Sequence, residues 1–414
     1  MSTTSEWQQL FEEISIPRLA GSKNCDAVVT RLADVLGKKG YSVELQGFDA
    51  GPERLVGGSV FGLLLTIGSF TAAVMLILDL TATRLPGAAT GVAVLGLVVA
   101  LLAAIAALES SGRLHSRWVA RLLGYRFPTG SGGPDAYTVR AANITAVKDA
   151  EPRVWLVAHS DSKVQRHSLG ARIVAVRRVL AGVGFLLLVP TGALLLVSSG
   201  ALNALARAGV PITPVTIVGA AVTALGAILA VAGGMVLTVA GLKDGSPGSI
   251  DNATGVVAVL ATAEKLGWRS EVGILITGAE ELAMAGAREW VKKARSGNVF
   301  VNFDGVDGKG QYILWVHNGA APGTARSLAS QLCQELGPVE ARIRKFLTFG
   351  MFVDGMILAK KGMAGVTVQR GTLDTAAVAH TPKDIPLGVD IEEGAVRAGR
   401  AAASVIEGFL TKSP

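Results

Sequence analysis

RVWLVAHSD, residues 153–161, reads as a buried strand that delivers an imidazole and a carboxylate to its far end. From Val154 to Ala158 every residue is apolar, with no polar alternation, which is the pattern of a strand covered on both faces. The same pattern recurs in VGILIT at 272–277, VFVNF at 299–303 and GVTV at 365–368. Between them, 255–266 and 283–294 have helical length and spacing. Strands alternating with helices predict an α/β domain with a largely parallel sheet, whose sites lie at the carboxyl ends of the strands.

Outward from this core the chain changes character. Half of its 414 residues are hydrophobic and only 17% are charged, against about 25% charged in ordinary soluble domains. Four stretches, 59–78, 85–108, 179–206 and 208–242, are nearly free of charge over the roughly 20 residues a helix needs to cross a bilayer. Turns containing Arg84 with Pro86 and Arg207 with Pro211 join them in pairs. The expectation is two transmembrane helical hairpins, four helices in all, with Pro190 kinking the third. Core helices of that length without a polar face are rare.

Hairpins return the chain to its starting side, so 1–57, 109–175 and 243–414 are expected to be pieces of one domain, with 58–108 and 176–242 as the hairpins. Basic residues near the membrane ends, among them Arg54, Arg113, Arg117, Arg172, Arg177 and Arg178, outnumber Arg84 and Arg207 in the hairpin turns. The positive-inside bias therefore predicts a multi-pass protein of the cell membrane with its domain in the cytoplasm. The first 14 residues carry Glu6, Glu12 and Glu13 and no basic, apolar leader pattern, so no secretory signal is expected. The formal charge of +7 is accounted for by residues flanking apolar runs, and no nucleic-acid partner is expected. Cys25 and Cys333 are the two cysteines, without the spacing of a thiolate metal site.

Five short motifs carry chemistry. His159-Ser160-Asp161 closes the first strand, and Ser249-Ile250-Asp251-Asn252 precedes a helix. Gly278-Ala279-Glu280-Glu281 follows the second strand, Asn302-Phe303-Asp304 ends the third, and His380-Thr381-Pro382-Lys383-Asp384 lies in a loop. Each has an ordinary reading: an incidental H-x-D, a helix N-cap at Asp251 or Asn252, or acids favouring a helix dipole at Glu280 and Glu281. Together they place two imidazoles and several carboxylates, with no thiolate, where an α/β site belongs. That donor set suits zinc. Adjacent carboxylates also suit hydrolysis, one binding the ion and its neighbour taking a proton from water. His115, His167 and His317 lack such context and read as surface or interfacial residues.

In order and local wording, VAHSDS, SIDNATG, GAEELAMAG, VNFDG and AHTPKD resemble the co-catalytic di-zinc aminopeptidases of clan MH, which include bacterial leucyl aminopeptidases and, more distantly, glutamate carboxypeptidases. PRLAGS at 17–22 and the following LADVLGKKGYSVELQGF look like that family's opening helix and strand, so the resemblance covers everything outside the apolar hairpins. It implies a three-layer α/β/α zinc-peptidase-like domain with a mostly parallel mixed sheet. It further implies two zinc ions, with Asp251 bridging them, His159 and Asp304 completing one position and Glu281 and His380 the other. Glu280 would be the general base, Asp161 would orient His159, and Asp354 matches a further acid of less certain role. The substrate implied is a peptide with a free N-terminus. Nothing bears on oligomeric state.

Two departures stand out. Relatives separate the first His from the bridging Asp by a short loop, whereas 92 positions separate His159 from Asp251. Excising 166–244 would leave 13, so the second hairpin reads as an insertion into a tolerant loop. Many relatives have Tyr before the last His, where this chain has Ala379. The alternatives are a non-catalytic membrane scaffold on a peptidase fold, disfavoured by the complete ligand set, and a zinc acyltransferase of the glutaminyl cyclase kind, which uses one ion. A transporter is disfavoured because the spans hold almost no ionisable residue.

Overall fold

The computed structural model describes residues 3–51, 68, 138–149, 151–198, 207–209, 213–238, 241–294, 297–345 and 352–412. In chain order these form α1 (Thr3–Ile14), α2 (Lys23–Lys38), β1 (Ser42–Ala50), β2 (Val139–Val147), β3 (Val154–His159), α3 (Leu169–Ser198) and α4 (Thr213–Thr238). Then follow α5 (Thr254–Lys265), β4 (Val272–Thr277), α6 (Ala285–Trp290), β5 (Val299–Val306), β6 (Gln311–His317), α7 (Pro322–Leu336) and β7 (Ala341–Arg344). The series closes with α8 (Asp354–Lys360), β8 (Ala364–Gly371), α9 (Leu373–Val378) and α10 (Arg397–Lys412).

The strands make one sheet in the order β1-β2-β4-β3-β5-β8-β6-β7. Its centre, β4-β3-β5-β8, is parallel and consists of the four strands legible as apolar runs. The flanks are where it becomes mixed: β2 runs antiparallel to β1 and β4, and β6 antiparallel to β8. Side-chain alternation sends Val154, Leu156 and Ala158 of β3 into the large core beneath α1, α2, α5, α7 and α10. It sends Trp155 and Val157 into a second core with Leu275, Phe300, Trp290 of α6 and Leu358 of α8. Both faces are therefore covered, which is why the central strands carry no polar stripe.

The helix expected over 283–294 is shorter than its apolar spacing suggests, ending as α6 at Ala285–Trp290. Ala283 and Met284 have φ of 62° and 58°, so the chain preceding α6 turns tightly instead of coiling. Ahead of α5, Asp251 and Asn252 are not helix caps. Asn252 Nδ2 donates to Phe303 O at 2.9 Å and its Oδ1 accepts from Gly305 N at 3.0 Å, tying the turn to β5. Gly255 permits that approach, since a Cβ there would fall 2.0 Å from Asn252 Oδ1.

The chain divides into two compact units: Met1–Pro52, Tyr125–Gly170 and Gly241–Pro414 in one, Glu53–Gly124 and Ala171–Ala240 in the other. The first expected hairpin, 59–108, lies outside the described residues. Within the second unit, α3 continues through Pro190, and α3 and α4 meet at small residues, a Cβ on Gly182 falling 2.5 Å from Gly226 O. Outward lie Leu180, Leu188, Ile217, Val218, Ile228 and Met235, all exposed. Among the described residues one helix, Ile217–Leu237, is long and apolar enough to cross a membrane.

His317, read from sequence as a surface or interfacial residue, is buried at the end of β6. Its Nε2 pairs with Thr367 Oγ1 at 2.9 Å and its ring lies 5.7 Å from that of Phe300. Burial pushes its pKa down to about 4 from 6.5. The folded chain thus prefers the neutral ring, so the stability it contributes is intact above about pH 6.5 and is lost as pH falls toward 4, on the order of 3 kcal/mol in all. His317→Gln is predicted to flatten this acid limb in thermal unfolding of the purified protein. An unchanged slope between pH 6.5 and 4 would refute the assignment.

Candidate metal centre

The carboxyl ends of β3, β4 and β5 converge with the Asp251 turn and the His380 loop. His159 Nε2 lies 3.1 Å from Asp251 Oδ1, and His380 Nε2 lies 2.9 Å from Asp251 Oδ2 and 3.2 Å from Glu281 Oε1. Two donor sets result, His159–Asp251–Asp304 and Asp251–Glu281–His380, each offering ligand atoms within 4.8 Å of one another. Asp251 belongs to both.

Loop chemistry explains the convergence. Asp384 accepts from the amides of Ile250 and Asp251 at 2.8 and 3.1 Å, fixing the turn that carries the shared carboxylate. Asp161 Oδ1 and Oδ2 accept from the amides of Glu280 and Glu281 at 2.9 and 3.1 Å. Its backbone oxygen, at 3.0 Å, is nearer to His159 Nδ1 than its carboxylate, at 3.6 Å. Asp161 therefore organises the Glu280–Glu281 turn as much as the imidazole. That turn holds Ala279 at φ 53°, and with Ala283 and Met284 it concentrates left-handed, non-glycine backbone around the two acids.

Arg18 is wholly buried, its Nε donating to Ser160 O at 2.7 Å and its Nη2 to Gly248 O at 2.8 Å. It also donates to Pro247 O, so one guanidinium from the N-terminal segment staples the His159 loop to the Asp251 loop. Asp354 takes the Thr277 hydroxyl on Oδ2, while its buried Oδ1 makes no hydrogen bond. Arg18, Asp384 and Lys163 were not marked as site residues by the sequence, since each acts on a partner more than 100 positions away.

The electrostatics are those of a site short of positive charge. Burial drives the Glu280 carboxyl well above its ordinary range, with Glu281, Asp354 and Asp304 adding to the effect and His159 opposing it. Burial likewise lifts Asp304 to about 7 and Asp354 to about 6, against the pull of His159. Asp251 goes the other way: hydrogen bonds from His159 and His380 outweigh burial and hold it well below the carboxylate range. Burial is also overcome at His380, lifted to about 9 by Glu281 and Asp251. Six buried or half-buried acids, Asp161, Asp251, Glu280, Glu281, Asp304 and Asp354, face two imidazoles and Lys163, and a divalent cation fits both that imbalance and the nitrogen and oxygen donors.

Known proteins share this fold and part of this sequence. Residues 236–401 match the sequence profile of peptidase family M28, a span that includes Asp251, Glu280, Glu281, Asp304 and His380 but not His159. Among solved structures, an aminopeptidase from Aneurinibacillus sp. strain AM-1 is similar at a TM-score of 0.50 and 12% identity, covering 98% of this chain and 93% of that one. The zinc aminopeptidase BSAP from Bacillus subtilis is similar at 0.50 and 13%, covering 98% and 95%. A glutaminyl cyclase from Porphyromonas gingivalis is similar at 0.49 and 12%, covering 99% and 98%. No curated protein matches. Over residues 236–401 the chain is thus similar to peptidase family M28, on a fold shared with solved aminopeptidases.

Proposed function

We propose that the chain is a membrane-anchored aminopeptidase that holds two zinc ions across Asp251, His159 and Asp304 taking one and Glu281 and His380 the other. The observation that carries this reading is the meeting of two complete donor sets on one carboxylate. Bound there, zinc would polarise a scissile carbonyl and lower the pKa of the attacking water. Glu280, buried and with its carboxyl pushed well above its ordinary range, takes that water's proton and returns it to the leaving amine. Asp161 holds Glu280 at its post through the backbone amide. A substrate with a free N-terminus places its amine among the acids.

In this reading 1–57, 109–175 and 243–414 make the cytoplasmic peptidase domain, and 58–108 and 176–242 the hairpins that anchor it. The apolar exterior of α3 and α4 and their close packing through glycine support the anchor. The test is detergent-dependent extraction, metal content and hydrolysis of aminoacyl reporter substrates, with a reporter fused at Arg207 scoring outside the cytoplasm. About two zinc ions per chain with N-terminal hydrolysis is the expected result. Neither zinc nor hydrolysis under zinc-replete conditions would leave a peptidase-fold scaffold, and a cytoplasmic signal at Arg207 would overturn the topology.

A further inference from the structure

The segment leaving β3 is extended, and residues 161, 163 and 165 address the site in turn. Asp161 grips the amides of Glu280 and Glu281. Lys163 Nζ lies 2.6 Å from Glu281 Oε2 and 3.5 Å from Glu281 O. Gln165 donates its backbone N–H to His380 O at 2.9 Å and sets its side-chain Oε1 3.3 Å from His380 Nδ1. Lys163 is 7% exposed, so its ammonium has left water for this one carboxylate.

The consequence appears when the two donor sets are compared. Each consists of one imidazole and two carboxylates, and they share Asp251. By ligand chemistry alone they are equal. Lys163 breaks the equality: it cancels one of the negative charges of the Asp251–Glu281–His380 set, while among the described residues no lysine or arginine forms an ion pair with Asp304 or Asp251. Glu281 is split accordingly, Oε2 to the ammonium and Oε1 toward His380, where it lies within ion-pair range but forms no hydrogen bond.

We propose that Lys163 is a resident counter-ion that makes the Glu281–His380 position the weaker of the two zinc positions, so that the His159–Asp304 position fills first. The proposal rests on the two-position reading above. A fixed cation beside a divalent one is repelled at short range in a site that water screens poorly. A lysine this buried cannot swing clear without breaking its ion pair and desolvated packing. The chain would then exist in one-zinc and two-zinc forms over a range of free zinc.

The experiment is equilibrium zinc titration of the metal-free, detergent-purified full chain against a chromophoric chelator, for wild type, Lys163→Gln and Lys163→Arg. Wild type is expected to show two dissociation constants at least about tenfold apart. Lys163→Gln is expected to tighten the weaker one by about tenfold or more and leave the tighter one in place, while Lys163→Arg keeps the gap. Two equal constants in wild type overturn the proposal without any variant. A weaker position that is unchanged or loosened in Lys163→Gln also overturns it, assigning Lys163 to the positioning of Glu281. Two zinc ions bound in either case leave the metallopeptidase reading standing, whereas no zinc bound by any form defeats both.

Discussion

Glu280→Gln is expected to lower kcat by about 10²–10⁴-fold while zinc content and KM stay at their wild-type values. The substitution keeps side-chain length and shape and leaves the Glu280 amide free to donate to Asp161, so the turn that also presents Glu281 is preserved. What is lost is the carboxylate that would accept the water's proton. Its suitability comes from surroundings rather than from its own chemistry, since burial and the neighbouring acids raise its pKa while His159 restrains the rise. An amide cannot take that proton at any accessible pH. The check is steady-state hydrolysis of an aminoacyl reporter alongside metal analysis of the same preparation. Activity within about threefold of wild type at equal zinc content would remove Glu280 from the role of base. Loss of zinc along with activity would make it a metal-holding group instead.

The parts of this centre that could be read from the chain differ from those that could not for a physical reason. Central parallel strands are buried on both faces, so 153–158, 272–277, 299–303 and 365–368 stand out as apolar runs, and the polar residues closing them stand out equally. The edge strand β7 is mostly exposed and carries no such mark, whereas β6 holds an apolar run, YILWV at 312–316, that looks like a central strand although it pairs antiparallel with β8. The shortening of α6 depends on left-handed φ at Ala283 and Met284, residues that ordinarily signal helix. Lys163, Arg18 and Asp384 act across 118, 142 and 133 or more positions, and no local pattern distinguishes a lysine that will be buried beside Glu281 from a solvated one. His317 shows the converse error: a polar residue at a strand end reads as exposed, yet β8 covers it and supplies Thr367.

The second large effect falls on Asp251. Asp251→Asn is expected to weaken both zinc positions, by at least about 100-fold each, because a ligand shared by two donor sets cannot be lost from one alone. Asn252, next in the chain, fastens the turn to β5 through its own side chain, and Asp384 holds the backbone amide of residue 251 whatever its side chain. The turn should therefore persist, and the loss can be assigned to the missing charge. Two controls sharpen this. Asp304→Asn should weaken only the position completed by His159, and Glu281→Gln only the one completed by His380, since these carboxylates each enter a single set. Zinc titration of the three variants beside wild type reads the pattern directly. If Asp251→Asn kept one zinc at wild-type affinity, the two positions would not share that residue. The pairing of His159 and His380 with its two oxygens would then be an ion-pair network rather than the outline of a two-zinc site.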